Sequence, residues 1–188
     1  MTEPAADAPK EEWRAWARAR REHLDWGALS SDVVSRLQNW IVPSNYQTVL
    51  VFLPLPGEID LGALLDGDAE TRFVATRTPD RGGLLSIHEL GGPLEVHRLG
   101  FLQPHEKARR TSPDEVDIAL LPGLAFDLYG TRLGRGAGYF DKLLSSMRRG
   151  VRLVGVVPTD LVVDRLPCDP HDIPVDYLAT EEGVVETA

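Results

Sequence analysis

Hydrophobic residues between Lys10 and Gln38 recur mostly at the spacing of an α-helix, with a break near Gly27. The Ser30-Ser31-Asp32 run after the break is a typical helix start, because short polar side chains can cap the first free N–H groups. The pattern therefore predicts two helices here. Further along, short apolar runs bounded by glycine or proline predict strands at residues 48–53, 72–76, 84–90, 94–99, 117–121, 152–157 and 175–179.

The segments between these runs complete the predicted order of elements. Residues 59–65 predict a short helix, Gly91-Gly92 predicts a hairpin turn between its flanking strands, and the charged residues 100–116 predict a loop. Strands that alternate with helices indicate a three-layer, Rossmann-like α/β sandwich with a mostly parallel, mixed sheet. We expect residues 1–9 to form a disordered tail and residues 10–188 to form a single domain.

Composition and charge narrow the classes of function. The chain has 188 residues, 43% of them hydrophobic, and a net charge of −9, which disfavours binding to nucleic acid or to an anionic membrane. No apolar run is long enough to cross a bilayer, and the first residues lack the pattern of a signal peptide, so we expect a cytoplasmic protein. Cys168 is the single cysteine and the five histidines are scattered, which argues against a disulfide or a zinc site.

The stretch GTRLGRGAGYFDKLL, residues 130–144, follows a predicted strand and leads into a helix that we expect to reach about Met147. Glycines let backbone N–H groups approach a ligand, and Arg132 and Arg135 add two permanent cations, so the loop is chemically suited to an anion. It is neither a Walker A loop nor a dinucleotide fingerprint, and its glycines alone fit a solvated turn equally well. The carboxylate of Asp141 favours the interpretation of this loop as a nucleotide site, because it could bind a magnesium ion beside the phosphates. An acid in the first turn of a helix also stabilises the helix dipole, so Asp141 fits a loop without a ligand as well.

A longer pattern is more specific. PGLAFDLYGTRLGRGAGYFD, residues 122–141, resembles the signature of the 5-formyltetrahydrofolate cyclo-ligase family. The resemblance extends to Lys10 and Arg14, to FLPLPGEID (52–60), to GFLQP (100–104) and to DPHDIPVDYLATE (169–181). It covers the chain from about residue 10 to residue 181, and it implies a fold related to NagB, RpiA and the CoA-transferases.

The resemblance also implies an activity and a site. Members of the family convert 5-formyltetrahydrofolate to 5,10-methenyltetrahydrofolate with Mg²⁺ and ATP, and they release ADP and phosphate. We expect the protein to be a monomer. Arg135, Tyr139 and Asp141 would be catalytic. The metal ligands would be Asp141 and Asp176, with Asp172 the acid before the latter. The folate would contact Leu53, Glu58, Arg135, Gly136, Ala137, Gly138 and Tyr139. The ATP would contact Lys10, Arg14, Arg132, Leu133, Gly134, Arg135, Gly136, Ala137, Gly138, Tyr139 and Phe140.

Three departures from the family pattern leave questions open. Phe140 replaces a frequent tyrosine. Thr76-Arg77 replaces a more usual Pro-Arg or Pro-Lys, which leaves the role of Arg77 open, and Pro158–Asp160 replaces an aromatic residue and a glutamine. Two other functions stay open at this point, because a fold does not by itself fix a function. One is a different enzyme on a similar scaffold, such as a sugar-phosphate isomerase or a CoA-transferase-like protein. The other is a non-catalytic protein that keeps a folate or nucleotide pocket.

Overall fold

A computed structural model describes residues 2–44, 46–66, 71–79 and 83–188. The α-helices are α1 (Lys10–Arg21), α2 (Trp26–Ile41), α3 (Gly62–Leu65) and α4 (Tyr139–Leu144). The strands are β1 (Thr48–Val51), β2 (Arg72–Arg77), β3 (Ser86–Glu89), β4 (Leu94–Val96), β5 (Leu102–Pro104), β6 (Arg110–Thr111), β7 (Ile118–Pro122), β8 (Ala125–Asp127), β9 (Arg132–Leu133), β10 (Arg152–Val156), β11 (Val162–Val163), β12 (Tyr177–Ala179) and β13 (Val184–Glu186).

The main sheet has eight strands in the order β13-β12-β10-β7-β1-β2-β3-β6. The five central strands, from β12 to β2, run parallel, while β13 and β3 pair antiparallel at the two sides. Smaller sheets are formed by β11-β8-β9 and by β4-β5. This architecture confirms the predicted α/β class with a mostly parallel, mixed sheet.

The core lies on both faces of the main sheet. Along β1, Leu50 belongs to the cluster that contains Trp13 of α1, while Val49 and Val51 belong to the cluster that contains Leu37 of α2. Side chains alternate between the two faces of a strand, so a strand buried on both faces is a continuous apolar run. The sheet is therefore the middle one of three layers. None of the described helices is long and apolar enough to span a membrane.

The second helix begins earlier than the sequence pattern predicts. The Asp25 side chain accepts hydrogen bonds from the backbone N–H groups of Gly27 and Ala28, so Gly27 lies in the first turn of α2 and does not separate the helices. Ser30 lies inside the helix, where its hydroxyl donates to the Trp26 carbonyl and accepts from the Asp60 N–H. The helix start predicted at Ser30-Ser31-Asp32 was wrong, because an aspartate five residues earlier satisfies the free N–H groups.

The predicted hairpin across Gly91-Gly92 was also wrong. β3 pairs with β2 and β6, whereas β4 pairs with β5 in a separate two-stranded ribbon. Residues 100–116 are consequently more ordered than the predicted loop, since they contain β5, β6 and a 3₁₀ turn at Pro113–Glu115. We call residues 94–104 the ribbon.

Two differences concern the chain near the glycine-rich loop and the N-terminus. The sequence did not predict the short strand β8, which precedes the glycine-rich stretch, or β9, which lies near its start. Helix α4 ends at Leu144 rather than about Met147. In the predicted tail, Met1 lies outside the described residues. The described residues 2–9 contain neither helix nor strand, and Ala8 packs against the core.

Gly130, the first residue of the glycine-rich stretch, lies in a turn whose close packing can be tested. Its φ is +83°, and a Cβ atom there would lie 2.3 Å from the Val175 carbonyl oxygen, a backbone atom that cannot rotate away. We expect Gly130→Ala to lower the free energy of unfolding by about 3 kcal/mol. Gly150 has a φ of +90°, but no atom lies within 4 Å of the position that a Cβ would take, so Gly150→Ala should cost only about 1 kcal/mol. Urea denaturation measures both, and equal losses would contradict the close approach.

Candidate active site

A cleft of about 420 Å³ opens at the carboxyl edge of the central strands. Its lining comes from the loops after β1, β2 and β7, from the glycine-rich loop and the start of α4, from the ribbon, and from residues 169–172. Ligands of open α/β sheets bind at this edge, because the loops that leave the strands converge there. We call the lining from α1 and the glycine-rich loop the basic end of the cleft, and the lining from the ribbon and its neighbours the apolar end.

Two cations of α1 reach the basic end. Lys10 and Arg14 are one helical turn apart and both line the cleft, as the sequence predicts for residues on one helix face. The Lys10 ammonium lies 2.6 Å from a carboxylate oxygen of Asp169 and 2.6 Å from one of Asp172. Arg14 donates to the Gly134 carbonyl at 3.0 Å, so it holds the glycine-rich loop while its guanidinium lies beside Gly136.

Arg132 and Asp141 form an ion pair inside the cleft. Arg132 Nη2 donates to Asp141 Oδ1 at 2.6 Å, and the Arg132 side chain is only 6% exposed. Its Nε is buried and has no hydrogen-bond partner among the described residues. A buried donor without a partner is costly, so an anionic ligand that accepts from it would be stabilised. The guanidinium also lies 5.6 Å from the centroid of the Phe140 ring.

Arg135 is paired with the acid that follows β1. Its Nε and Nη2 donate to Glu58 Oε1 at 3.2 and 2.9 Å, and the Glu58 side chain is 7% exposed. The other Glu58 oxygen accepts from the Leu55 N–H at 3.0 Å, which fixes the carboxylate. The pair joins the glycine-rich loop to the loop after β1 and brings Arg135 and Glu58 together, as the resemblance implies.

Arg21, which the sequence analysis did not single out, connects two loops of the site. Arg21, at the end of α1, donates to the carbonyls of Gly57, Gly123 and Leu124, and it is 9% exposed. Gly57 follows β1, while the other two carbonyls follow β7, so one side chain ties two loops of the cleft together. Burial lowers the pKa of Arg21 to about 10, which still leaves it charged at neutral pH. A sequence signal existed, because Trp13, Ala17 and Arg21 continue one face of α1 at a spacing of four.

The apolar end is held by polar contacts of the ribbon. Arg77 donates to Glu95 and to the Pro104 carbonyl, and the buried Gln103 joins Glu95 to the Thr78 N–H. The role of Arg77 that the sequence left open is therefore to fix the ribbon over the end of β2. The apolar side chains that face this end include Leu53, Phe101 and Leu102.

Some predicted site residues lie outside the cleft. Asp176 precedes β12, at the amino edge of the sheet, and its Oδ2 accepts from the Leu153 N–H at 2.8 Å. The cleft is at the opposite edge, so the structure contradicts the predicted metal ligand Asp176. The Leu133 side chain is buried in the core and does not line the cleft. In the divergent segment Pro158–Asp160, Asp160 pairs with Arg20 and also lies outside the cleft.

The remaining predicted residues line the cleft together. They are Lys10, Arg14, Leu53, Glu58, Arg132, Gly134, Arg135, Gly136, Ala137, Gly138, Tyr139, Phe140 and Asp141, and Asp172 lies there too. The profile of the 5-formyltetrahydrofolate cyclo-ligase family matches residues 10–181, which span these positions. The chain belongs to the 5-formyltetrahydrofolate cyclo-ligase family. It is therefore an enzyme of the ligase class, and the resemblance found in the sequence is confirmed.

Individual cyclo-ligases agree with this assignment. The chain is similar to the 5-formyltetrahydrofolate cyclo-ligase of Mycolicibacterium smegmatis, with 39% identity over 174 residues that cover 84% of this chain and 87% of the relative. The chain is also similar to the 5-formyltetrahydrofolate cyclo-ligase of Escherichia coli K12, with 30% identity over 146 residues that cover 74% of this chain and 80% of the relative. The solved structure of Aquifex aeolicus 5,10-methenyltetrahydrofolate synthetase superimposes with a TM-score of 0.82 at 34% identity, covering 94% of this chain and 92% of that one.

The two loops tied by Arg21 should separate when the side chain is removed. Arg21→Ala leaves the Gly57, Gly123 and Leu124 carbonyls without their donors, and we expect a loss of about 2–4 kcal/mol in the free energy of unfolding. Arg18, on the same helix, has only a 3.7 Å ion pair to the exposed Glu11, so Arg18→Ala should change stability by less than about 0.5 kcal/mol. Urea denaturation measures the free energy of unfolding of both variants. Similar values for Arg21→Ala and Arg18→Ala would show that Arg21 does not hold the two loops together.

Proposed function

We propose that the chain catalyses the ATP- and Mg²⁺-dependent cyclisation of 5-formyltetrahydrofolate to 5,10-methenyltetrahydrofolate, with release of ADP and phosphate. The observation that carries the proposal is a single cleft with four cations and a glycine-rich loop at one end and apolar side chains of the ribbon at the other. A triphosphate suits the first end, and the ring system of a folate suits the second.

The basic end has the chemistry that a triphosphate requires. Lys10, Arg14, Arg132 and Arg135 supply permanent positive charge in a chain whose net charge is −9, so an anion must be held locally. Gly136 and Gly138 have positive φ values, +104° and +64°, which favour glycine, and neither residue carries a side chain that would block a phosphate. The unpaired Arg132 Nε is a further donor that a phosphate oxygen can satisfy.

Asp141 fits a magnesium ion that is shared with the nucleotide. One of its oxygens accepts from Arg132, and the carboxylate lines the cleft beside the glycine-rich loop. Magnesium in phosphoryl-transfer sites is held by one or two carboxylates together with phosphate oxygens, so one carboxylate is a sufficient protein ligand. When bound, the ion would neutralise charge that develops on the transferred phosphoryl group.

The proposed reaction needs positioning and charge neutralisation rather than a protein nucleophile. The formyl oxygen attacks the γ-phosphorus and ADP leaves, which turns a poor leaving group into a phosphate. N10 of the folate then attacks the activated carbon and loses its proton, and the phosphate departs as the ring closes. Arg135 is suited to neutralise the phosphoryl oxygens, since Glu58 fixes its guanidinium at the basic end of the cleft. Tyr139 lines the cleft beside it and can pack against the formyl-bearing ring.

The far end of the cleft suits the glutamate tail of the folate. Among the described lysines and arginines that line the cleft, Arg98 alone has no carboxylate partner. It lies in the turn of the ribbon, next to the exposed Leu99. A free guanidinium beyond an apolar surface matches a substrate whose ring system ends in carboxylates.

The function is tested by near-ultraviolet absorbance of 5-formyltetrahydrofolate incubated with the protein, ATP and Mg²⁺. Formation of methenyltetrahydrofolate that requires both ATP and Mg²⁺ supports the proposal. No product, with folate still bound, would point to a pocket that has lost its chemistry. No binding of either substrate would favour a different reaction on this scaffold.

Removing the central charges of the cleft should abolish turnover without unfolding the protein. We expect Arg135→Ala and Asp141→Asn each to lower kcat by about 100-fold or more, because charge stabilisation in the transition state is lost. Lys142→Ala is the matched control, since Lys142 is exposed on α4 next to Asp141 and does not line the cleft. Steady-state kinetics with melting temperatures measures these effects. A near-normal kcat in either variant would remove that residue from the mechanism.

Arg98 should affect folate binding alone. We expect Arg98→Ala to raise KM for 5-formyltetrahydrofolate about fivefold through the loss of one charge-assisted hydrogen bond, with KM for ATP unchanged. Arg149→Ala removes an exposed arginine that does not line the cleft and should change neither constant. An unchanged folate KM in Arg98→Ala, or an altered ATP KM, would contradict the proposed orientation of the substrate.

A further inference from the structure

The turn of the ribbon carries Arg98 and Leu99, which line the cleft and are exposed. β4 ends at Val96 and β5 begins at Leu102, so residues 97–101 connect the two strands. An exposed arginine in a hairpin turn samples many conformations and loses that freedom when it binds a carboxylate. The affinity that Arg98 contributes therefore depends on how firmly the turn beneath it is held.

The backbone of His97 closes this turn. Its carbonyl accepts from the Gly100 N–H at 2.7 Å, and its N–H donates to the Phe101 carbonyl at 2.8 Å. Gly100 has a φ of +85°, the left-handed conformation that follows a type I turn in a three-residue hairpin loop. The turn therefore has a defined shape, with Arg98 and Leu99 at its centre.

The side chain of His97 adds two contacts within the same turn. Its Nδ1 accepts from the Leu99 N–H at 3.3 Å, directly after Arg98. Its ring stacks on the ring of Phe101, with the centroids 4.5 Å apart and an angle of 24° between the planes. His97 is only 3% exposed, so this stacking keeps the ring packed against the turn. The side chain thus fixes the backbone on both sides of Arg98.

The strands of the ribbon are anchored by other residues. Arg77 donates to Glu95 of β4, and Gln103 of β5 accepts from the Thr78 N–H and donates to Glu95. These contacts act on the two strands, whereas those of His97 act within the turn. A turn that is already in its binding shape loses less conformational entropy when a ligand binds, which raises the affinity.

We propose that His97 is a positioning residue, which holds the ribbon turn through its hydrogen bond from the Leu99 N–H, presents Arg98 to the folate carboxylates and thereby raises the affinity for this substrate. This role rests on the proposed function, since it takes 5-formyltetrahydrofolate as the ligand of the apolar end. His97 itself lines the cleft, so the experiment must separate its action through the turn from a direct contact with the folate.

His97→Ala removes both the Nδ1 acceptor and the stacked ring. We expect the Kd for 5-formyltetrahydrofolate, measured by calorimetry without ATP, to rise about threefold, because part of the contribution of Arg98 is lost to disorder of the turn. The Kd for ATP should stay unchanged. His105→Ala is the matched control, since His105 Nδ1 accepts from the Lys107 N–H at 3.2 Å, again two residues further on, but His105 does not line the cleft. It should alter neither Kd.

Two side chains of different chemistry show whether the hydrogen bond is what matters. The side-chain oxygen of asparagine can accept from the N–H two residues further on, as in an Asx turn, so His97→Asn should recover most of the folate affinity. His97→Leu keeps apolar bulk against Phe101 but offers no acceptor, and it should bind folate as weakly as His97→Ala. Wild-type affinity in His97→Leu would overturn the proposal.

A double-mutant cycle shows whether His97 acts through Arg98. In an Arg98→Ala background, adding His97→Ala should weaken folate binding no further, because the group that the turn presents is gone. If the loss persists in that background, His97 acts by another route, such as direct contact with the folate, and the proposal is overturned.

Gly100→Ala disturbs the same turn if His97→Ala does not fold. Gly100 does not line the cleft, and no atom lies within 4 Å of an added Cβ, so only the conformation at φ +85° is disfavoured. Gly150→Ala imposes the same constraint at φ +90° outside the ribbon. We expect the folate Kd to rise about twofold in Gly100→Ala alone. Equal folate affinities in the two variants would overturn the proposal.

The binding data separate this proposal from the proposed function. A wild-type protein that forms methenyltetrahydrofolate while His97→Ala keeps full folate affinity would refute the role of His97 alone. A wild-type protein that binds folate without forming product, and binds it more weakly in His97→Ala, would refute the function and leave the positioning role supported.

Discussion

A guanidinium buried from water needs hydrogen-bond acceptors for its donors, and Arg21 finds them in three backbone carbonyls of two different loops. Gly57 belongs to the loop after β1, while Gly123 and Leu124 follow β7. This one side chain therefore holds together two loops that line the cleft. Arg21 also fixes the end of α1, the helix that carries Lys10 and Arg14 into the cleft.

The cations at the basic end are each held by a carboxylate of the protein. Lys10 contacts Asp169 and Asp172, Arg132 contacts Asp141, and Arg135 contacts Glu58. In an acidic chain such pairs keep positive charge at defined positions without leaving it free for other anions. A triphosphate can add to these cations because their carboxylate partners use only part of their donors.

The sequence predicts the layers, the central parallel strands and the glycine-rich loop, because these depend on local pattern and on a long motif. Prediction from the sequence fails where contacts between residues distant in sequence determine the structure. Arg77 contacts Glu95 and Gln103 contacts Thr78, which holds the ribbon at the end of β2, and no local pattern encodes those pairs. Asp172 and Asp176 are both acids of one motif, but β12 begins at Tyr177, so only the structure shows that they lie at opposite edges.

The central claim is that one cleft brings the formyl oxygen of the folate to the γ-phosphorus of ATP. The most direct measurement uses 5-formyltetrahydrofolate labelled with ¹⁸O in the formyl group, followed by mass spectrometry of the phosphate released in a single turnover. The account predicts that the phosphate carries the label, because the formyl oxygen leaves as part of it. Unlabelled phosphate formed together with methenyltetrahydrofolate would contradict the account, since the oxygen would then have left without forming a bond to phosphorus.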